Sequence, residues 1–559
     1  MMRHIWKRFG KSALCGAALL SAVSLAHAQP GAPSLPAPPA LPSAATPVDD
    51  LKVRIDQLEK LVKTLQAQPV SRSSTADQGA ALKPNDVQKL VNDYLNQREA
   101  ANPRSPVSAQ QPGPGGVAPI YPQVDGTIMP HDMAGDHSVD FKNGVFIKSG
   151  DGLFSLRFNT LVQLDSRDFS HTAGGNTSNS ALHDNFTLAR TWLFFRGNVT
   201  EYIDYTTIIA GGAAANTTGG PGPFNVLDTY FDFNPFGAEC KELLQIRMGR
   251  FKTPFLYQFY KISPQDFVSP ELSMFGTNFL QNRQLGIMAH GLLFDKRFDY
   301  AAGVFNGTPN SFEVTQDQKE AVMYAGFQPF VQCQDSCFKN LIVAGSYAVG
   351  VQNGVALPNA LGTAVPAGGP PNNLNISPTF LEFSAAALQT GFHDAWALDL
   401  VYNYKCLNFY GEYNGGKQTY ELTTAPGKQI PVSLNGYSAT ATCFLTGEQI
   451  TPSRARVQPL HPYNLMGGCW GAFELFGRYS NLDLGSAVLT KGLLMAGANA
   501  NQVNATDAGV NWFLNEYVRF TLDWQHSMFN APISLAPGVA GAKTTSQQDM
   551  LWLRFQLYY

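Results

Sequence analysis

The chain is short of charge. Only 14% of its 559 residues are Asp, Glu, Lys or Arg, and the formal net charge is −3. No basic patch therefore argues for nucleic acid. After the N-terminus there is no run of about 18 apolar residues, which excludes a transmembrane helix. A nucleotide-binding glycine loop, a nucleophile elbow and a zincin helix are all missing, so the common enzyme signatures give no support to catalysis. What the chain has is 44% hydrophobic and 12% aromatic residues, with Gly 51 and Pro 36 distributed among many short alternating segments. Aromatic-rich dyads without a hydropathy peak are the trace of an all-β protein whose strands cross a membrane as a barrel.

Residues 1–28 read as a secretory signal. Arg3, Lys7, Arg8 and Lys11 form a basic region, Ala13–Leu25 an apolar one, and Ala26-His27-Ala28 a small-x-small cleavage site. Cys15 lies too early to be a lipoprotein cysteine. Residues 29–47 are a Pro/Ala linker. Val48, Leu51, Ile55, Leu58, Val62 and Leu65 then follow 3-4 spacing. That seam is either a short coiled coil or an amphipathic helix resting on the barrel or cell wall. With a second helix over Asn85–Ala101, residues 48–101 are expected to be a helical extension in the periplasm, and 102–150 a Pro/Gly linker. His131, Asp132, Asp136 and His137 lie in that linker without metal-ligand spacing, so no metal or cofactor is expected.

From residue 151 to the end the pattern is dyadic. Phe154, Leu156, Phe158, Thr160, Val162 and Leu164 alternate with Ser155, Arg157, Asn159, Leu161, Gln163 and Asp165. Leu551, Leu553, Phe555, Leu557 and Tyr559 alternate with Trp552, Arg554, Gln556 and Tyr558, and a final aromatic is the signal that barrel-assembly machinery reads. Strands are expected near 152–168, 186–199, 201–211, 225–234, 241–252, 283–294, 298–306 and 320–331. Others fall near 340–352, 393–404, 407–418, 435–447, 470–481, 503–513, 517–527 and 547–559. Sixteen is an even number, as a closed antiparallel bacterial barrel requires, and long and short connections alternate apart from 448–469.

The most informative stretch is Lys241 to Leu293. Leu244, Ile246 and Met248 alternate with Gln245, Arg247 and Gly249, and a second strand runs over Arg283–Leu293. The loop 253–282 between them carries five phenylalanines, too apolar for disorder and too long for a turn. In a membrane barrel such a loop is expected to fold into the lumen as a constriction.

At these residues the chain resembles the phosphate- and polyphosphate-selective porins (porin O/P) of bacterial outer membranes. Gly249-Arg250-Phe251-Lys252-Thr253-Pro254-Phe255 is similar to that family's G-x-F-K-x-P-F segment, and Arg283-Gln284-Leu285-Gly286-Ile287 to its R-x-x-G-[IV]. Gly303-Val304-Phe305-Asn306-Gly307 resembles G-x-F-N-G, and Phe444-Leu445-Thr446-Gly447-Glu448 resembles F-L-T-G-E. Arg478-Tyr479-Ser480 with Leu482-Asp483-Leu484, and Gly509–Asn515 with Val518-Arg519-Phe520, match two further motifs in order. The resemblance implies a sixteen-stranded transmembrane barrel, usually a homotrimer, with an arginine-lined lumen, constriction lysines and small anions such as phosphate as solutes.

The candidate pore-lining cations are Arg157, Arg190, Arg196, Arg247, Arg250, Lys252 and Arg283. Guanidinium and ammonium donors replace the hydration an anion loses in a channel. Alternatively they pair with Asp165, Asp228, Asp232 or Asp523 in the same phase and only stiffen the wall. Arg250 is out of phase with Arg247 and counts only if the strand bulges or ends there. Cys333 with Cys337, and Cys443 with Cys469, are candidate disulfides in an oxidising compartment, while Cys240 and Cys406 are free or paired together. The leading reading is a passive outer-membrane channel. An envelope anchor reaching the cell wall and a barrel hydrolase are the alternatives.

Overall fold

The computed structural model describes residues 138–140 and 144–559, apart from 176–177, 179–180, 212–224, 311–316, 334–335, 357, 365–375 and 451–455. The signal, the first linker, the helical extension and most of the second linker lie outside the described residues.

Strands follow in the order β1 (Ser138–Asp140), β2 (Val145–Lys148), β3 (Ser155–Phe169), β4 (Asn185–Thr200), β5 (Ile203–Gly211), β6 (Asn225–Phe233) and β7 (Gln245–Lys252). Next come β8 (Arg283–Leu293), β9 (Phe298–Phe305), β10 (Glu320–Phe327), β11 (Leu341–Val355), β12 (Ala360–Gly362) and β13 (Thr379–Glu382). The rest are β14 (Ala387–Tyr404), β15 (Leu407–Leu422), β16 (Ala425–Phe444), β17 (Ala472–Leu484), β18 (Gln502–Phe513), β19 (Val518–Ser534) and β20 (Thr544–Tyr558). Sixteen of them, β3–β11 and β14–β20, pair antiparallel each with the next and close into a barrel where β20 meets β3. All sixteen expected strands are present.

The alternation has the physical sense a lipid wall demands. In β3, Asn159, Gln163, Asp165 and Arg167 are buried, whereas Leu164 between them is 44% exposed. Leu188, Leu398 and Leu553 are likewise 46%, 56% and 44% exposed on the outside, the reverse of a water-soluble sheet. Near the short-turn end Phe473, Trp512, Phe520 and Phe555 are successive cross-strand partners. Their ring centroids stand 5.8, 5.7 and 5.2 Å apart, a segment of aromatic girdle.

Three expectations are corrected. Residues 138–148, read as linker, contain the hairpin β1–β2, and β2 pairs the start of β3 through Val145↔Phe158 to Lys148↔Ser155. Apolar, β-favouring Val145, Phe146 and Ile147 supply the reason. Residues 419–434, read as a loop, continue β15 and β16 into a tall hairpin. Pro431 is tolerated there because β17 pairs β16 only from Leu434↔Leu484 onward, leaving that side of the strand an edge. The long connection expected over 353–392 is shorter, since β11 runs to Val355 and β14 begins at Ala387, and it carries the small sheet β12–β13.

Candidate functional site

The loop 253–282 enters and leaves through one clasp. Thr253 donates to the Asn282 carbonyl from both its backbone N–H (2.9 Å) and its hydroxyl (2.8 Å). Within the loop are two helical turns, α1 (Tyr257–Lys261) and α2 (Met274–Asn278). Ser273 caps α2 by accepting from the Gly276 N–H at 3.2 Å. Lys252 donates to the Phe259 and Ile262 carbonyls at 2.9 and 3.1 Å, which satisfies the end of α1.

The loop lies against the inner face of the wall along two chemically different flanks. Towards β3 and β17–β20 its backbone carbonyls are held by wall donors. Arg519 donates to Phe267 (2.9 Å), Asn511 to Val268 (2.9 Å), Gln556 to Gln265 (3.0 Å), Arg478 to Glu271 (2.6 Å) and Arg554 to Pro270. Glu271 is the centre of this flank. Its carboxylate accepts two bonds from Arg190, at 2.8 and 2.7 Å, and one from Arg554 at 2.9 Å. Arg554 also bonds both oxygens of Asp165, at 2.6 and 2.8 Å, and Arg167 adds a third bond at 3.1 Å. Asp165, Arg167, Arg190, Glu271 and Arg554 are at most 2% exposed, so each is viable only because it is paired.

On the opposite side the loop is apolar. Phe255, Leu256, Tyr257 and Phe259 pack in one buried cluster with Met288, Ala301, Phe305, Val322, Ile342 and Val401 of the wall. Few polar ties cross here: the Leu256 N–H donates to Ser346 Oγ at 3.0 Å and the Tyr257 N–H to Asp399 at 3.2 Å. Lys261 pairs with Asp299 at 2.7 Å. Burial pushes the Lys261 pKa down and the Asp299 carboxylate opposes that fall. Asn278 joins this loop to the next, donating to the Gly362 carbonyl and accepting its N–H, both at 3.0 Å.

Four of the seven cations picked from the sequence come together. Lys252 lies in the field of Arg283, Arg196 and Arg190, with Asp228 the nearby carboxylate. Arg190 and Arg283 stand over Trp192 at 5.5 and 5.4 Å, and Arg196 over Phe194 at 4.6 Å. Arg283 pairs with Asp228 at 3.0 Å and Arg190 with Glu271. Among the described residues no carboxylate forms an ion pair with Arg196 or Lys252. Arg157 faces Arg196 across β3–β4 and stands over Phe146 at 4.9 Å. Arg247 sits apart, bonded to Asp232 at 2.8 and 2.9 Å, and His290 shares that carboxylate at 3.1 Å. β7 runs through Arg250 to Lys252 without a register shift, so it neither bulges nor ends there; the Arg250 guanidinium donates to the Val226 and Asn310 carbonyls at 2.7 and 2.9 Å.

The six cysteines outside the signal are free thiols. Cys443 faces Cys406, sulfur to sulfur 3.3 Å, and not Cys469. The hairpin register explains this, since it sets Cys443 opposite Leu407, next to Cys406. Sequence reasoning missed Glu271 and the wall arginines that hold the loop, Arg478, Arg519 and Arg554. Arg519 and Arg554 stand in the polar phase of their dyads, and that signal was sufficient to propose them.

A family profile, phosphate-selective porin O and P, matches residues 154–559, the whole barrel. The chain belongs to this family. Its members are channel proteins of the bacterial outer membrane, not enzymes. No curated protein matches the chain. Among solved structures this porin is similar to OmpT of Vibrio cholerae, with 9% identity, TM-score 0.43, and 74% of this chain and 100% of that one covered. The anion-selective porin from Comamonas acidovorans gives 12% identity and TM-score 0.42 over 73% and 100% of the two chains. The outer membrane channel DcaP of Acinetobacter baumannii gives 11% and 0.42 over 74% and 99%.

Proposed function

We propose that this porin is a passive channel for small hydrophilic solutes, narrowed by the loop 253–282, that favours anions of the phosphate class. The observation that carries the anion preference is the group Arg190, Arg196, Lys252 and Arg283, four cations facing two carboxylates, Asp228 and Glu271. A fixed surplus of donors of this kind lowers the cost of stripping water from an anion and raises it for a cation. Aromatic faces under three of the four hold the planar guanidinium groups at defined angles. The solute moves down its own gradient, and no step of chemistry is required. On this reading the working unit is a homotrimer, and the helical extension lies in the periplasm with the short turns.

The test is a planar bilayer carrying the purified porin under a salt gradient, with phosphate titrated in. The expected result is an anion-selective reversal potential and a current reduced by phosphate. Arg196→Gln combined with Lys252→Gln should abolish both while leaving a measurable conductance. A cation-selective current from the unaltered protein would sink the proposal.

A further inference from the structure

One connection does not match its position. Barrels of this kind have short turns at the periplasmic end. Yet the link between β16 and β17 covers residues 445–471, at the end where 201–202, 405–406 and 514–517 make tight turns. Its tip is apolar and open: Leu460 is 60% exposed, Leu465 60%, Met466 97% and Trp470 57%. A contiguous patch of that size facing water is unfavourable and points to something that covers it.

The tip is held in shape. Asn464 and Cys469 exchange backbone hydrogen bonds at 2.9 and 3.0 Å, and the Gly467 N–H donates to Asn464 Oδ1 at 3.1 Å. Two bonds fasten the finger to the wall: the Tyr463 N–H to the Leu514 carbonyl at 2.7 Å, and Trp512 Nε1 to the Trp470 carbonyl at 2.6 Å. The Tyr463 ring touches both Trp470 (6.4 Å) and Trp512 (5.8 Å). Since Trp512 belongs to the aromatic girdle, the finger continues the lipid-facing surface beyond the strand ends.

Continuity with the wall selects the occupant. Carboxylates stand at the base of the finger: Glu448 accepts from the Leu460 N–H at 3.0 Å and Glu516 from Gln458 at 3.3 Å. Arg456 stands over Tyr517 and Tyr558 at 5.2 and 4.6 Å, in a cavity also lined by Asp266 and Glu516. The exposed Leu, Met and Trp of the tip extend the aromatic girdle and match a phospholipid leaflet, with the aromatic rings at headgroup depth.

We propose that residues 460–470 form a wedge inserted into the phospholipid leaflet at the short-turn end of the barrel. This rests on the membrane placement of the wall. The test puts the photo-crosslinker p-benzoylphenylalanine at Met466 or, as a wall control, at Leu553, in the full-length porin. The protein is placed in nanodiscs of phosphatidylethanolamine and phosphatidylglycerol, irradiated, and its peptides are analysed by mass spectrometry. Phospholipid adducts at both positions are expected. A crosslink from 466 to a second copy of the chain would replace the wedge with a contact between protomers and overturn it. Lipid adducts at 553 and none at 466 would also overturn it. Failure at both positions would instead overturn the membrane reading of the wall.

Discussion

The two flanks of the inward loop do the same job by opposite means. Towards β17–β20 the loop is fixed by donors on the wall and by the Glu271 carboxylate, each contact directional. Towards β8–β14 it is fixed by Phe255, Leu256 and Phe259 in an apolar cluster that any well-fitting shape would satisfy. A directional seam sets where the backbone lies, and an apolar one contributes free energy with little demand on angle. The cationic group stands beside the directional seam, through Arg190, so the part of the loop nearest the proposed solute path is also the more exactingly placed.

The comparison can be broken at one flank or the other. Arg554→Ala leaves Asp165 and Glu271 buried and short of a partner, and should cost about 4 kcal/mol. It is read as a lower guanidinium chloride midpoint in detergent micelles, with a noisier single-channel trace as the carbonyls of the loop lose their donor. Phe255→Ala opens a cavity on the other flank and should cost about 3 kcal/mol. Its trace should stay quiet, because Glu271 still fixes the backbone; equal noise from both variants would erase the distinction between seams. Asn278→Ala is the mildest. It removes two bonds to Gly362 and should cost about 1 kcal/mol, with faster proteolysis of the 356–386 connection than of 253–282 as the sharper readout.

The wall was legible in the sequence because lipid on one side and polar groups on the other impose a strict period of two, as in Ser155–Phe169. Legibility failed where that contrast stops. Above the lipid, β15 and β16 continue through Thr423 and Thr424 with Pro426, Gly427 and Pro431 in the run, so composition suggested a loop while pairing made strands. The short β12 and β13 carry too few residues to show a period at all. At the site, the sequence marked Arg190, Arg196, Lys252 and Arg283 as cations in plausible phase, and they do converge. It did not mark Glu271, one of two carboxylates in an apolar loop, because what gives Glu271 its role is Arg190 and Arg554, 81 and 283 residues away along the chain. Distance in sequence erased the pattern.

The seam that closes the barrel has a consequence for time. Asp165 on β3 meets Arg554 on β20 across 389 residues, so the first wall strand to leave the ribosome is completed by the last. Until then β3 presents one unpaired edge, the state most open to wrong partners, and closure must await the slowest kind of contact to find. The hairpin β1–β2 is made just before β3 and takes up the edge from Ser155 to Phe158 at once, leaving only the stretch from Leu161 upward for β20. The ring is thus begun with its starting edge partly sheathed, and the final residues of the chain act as its latch.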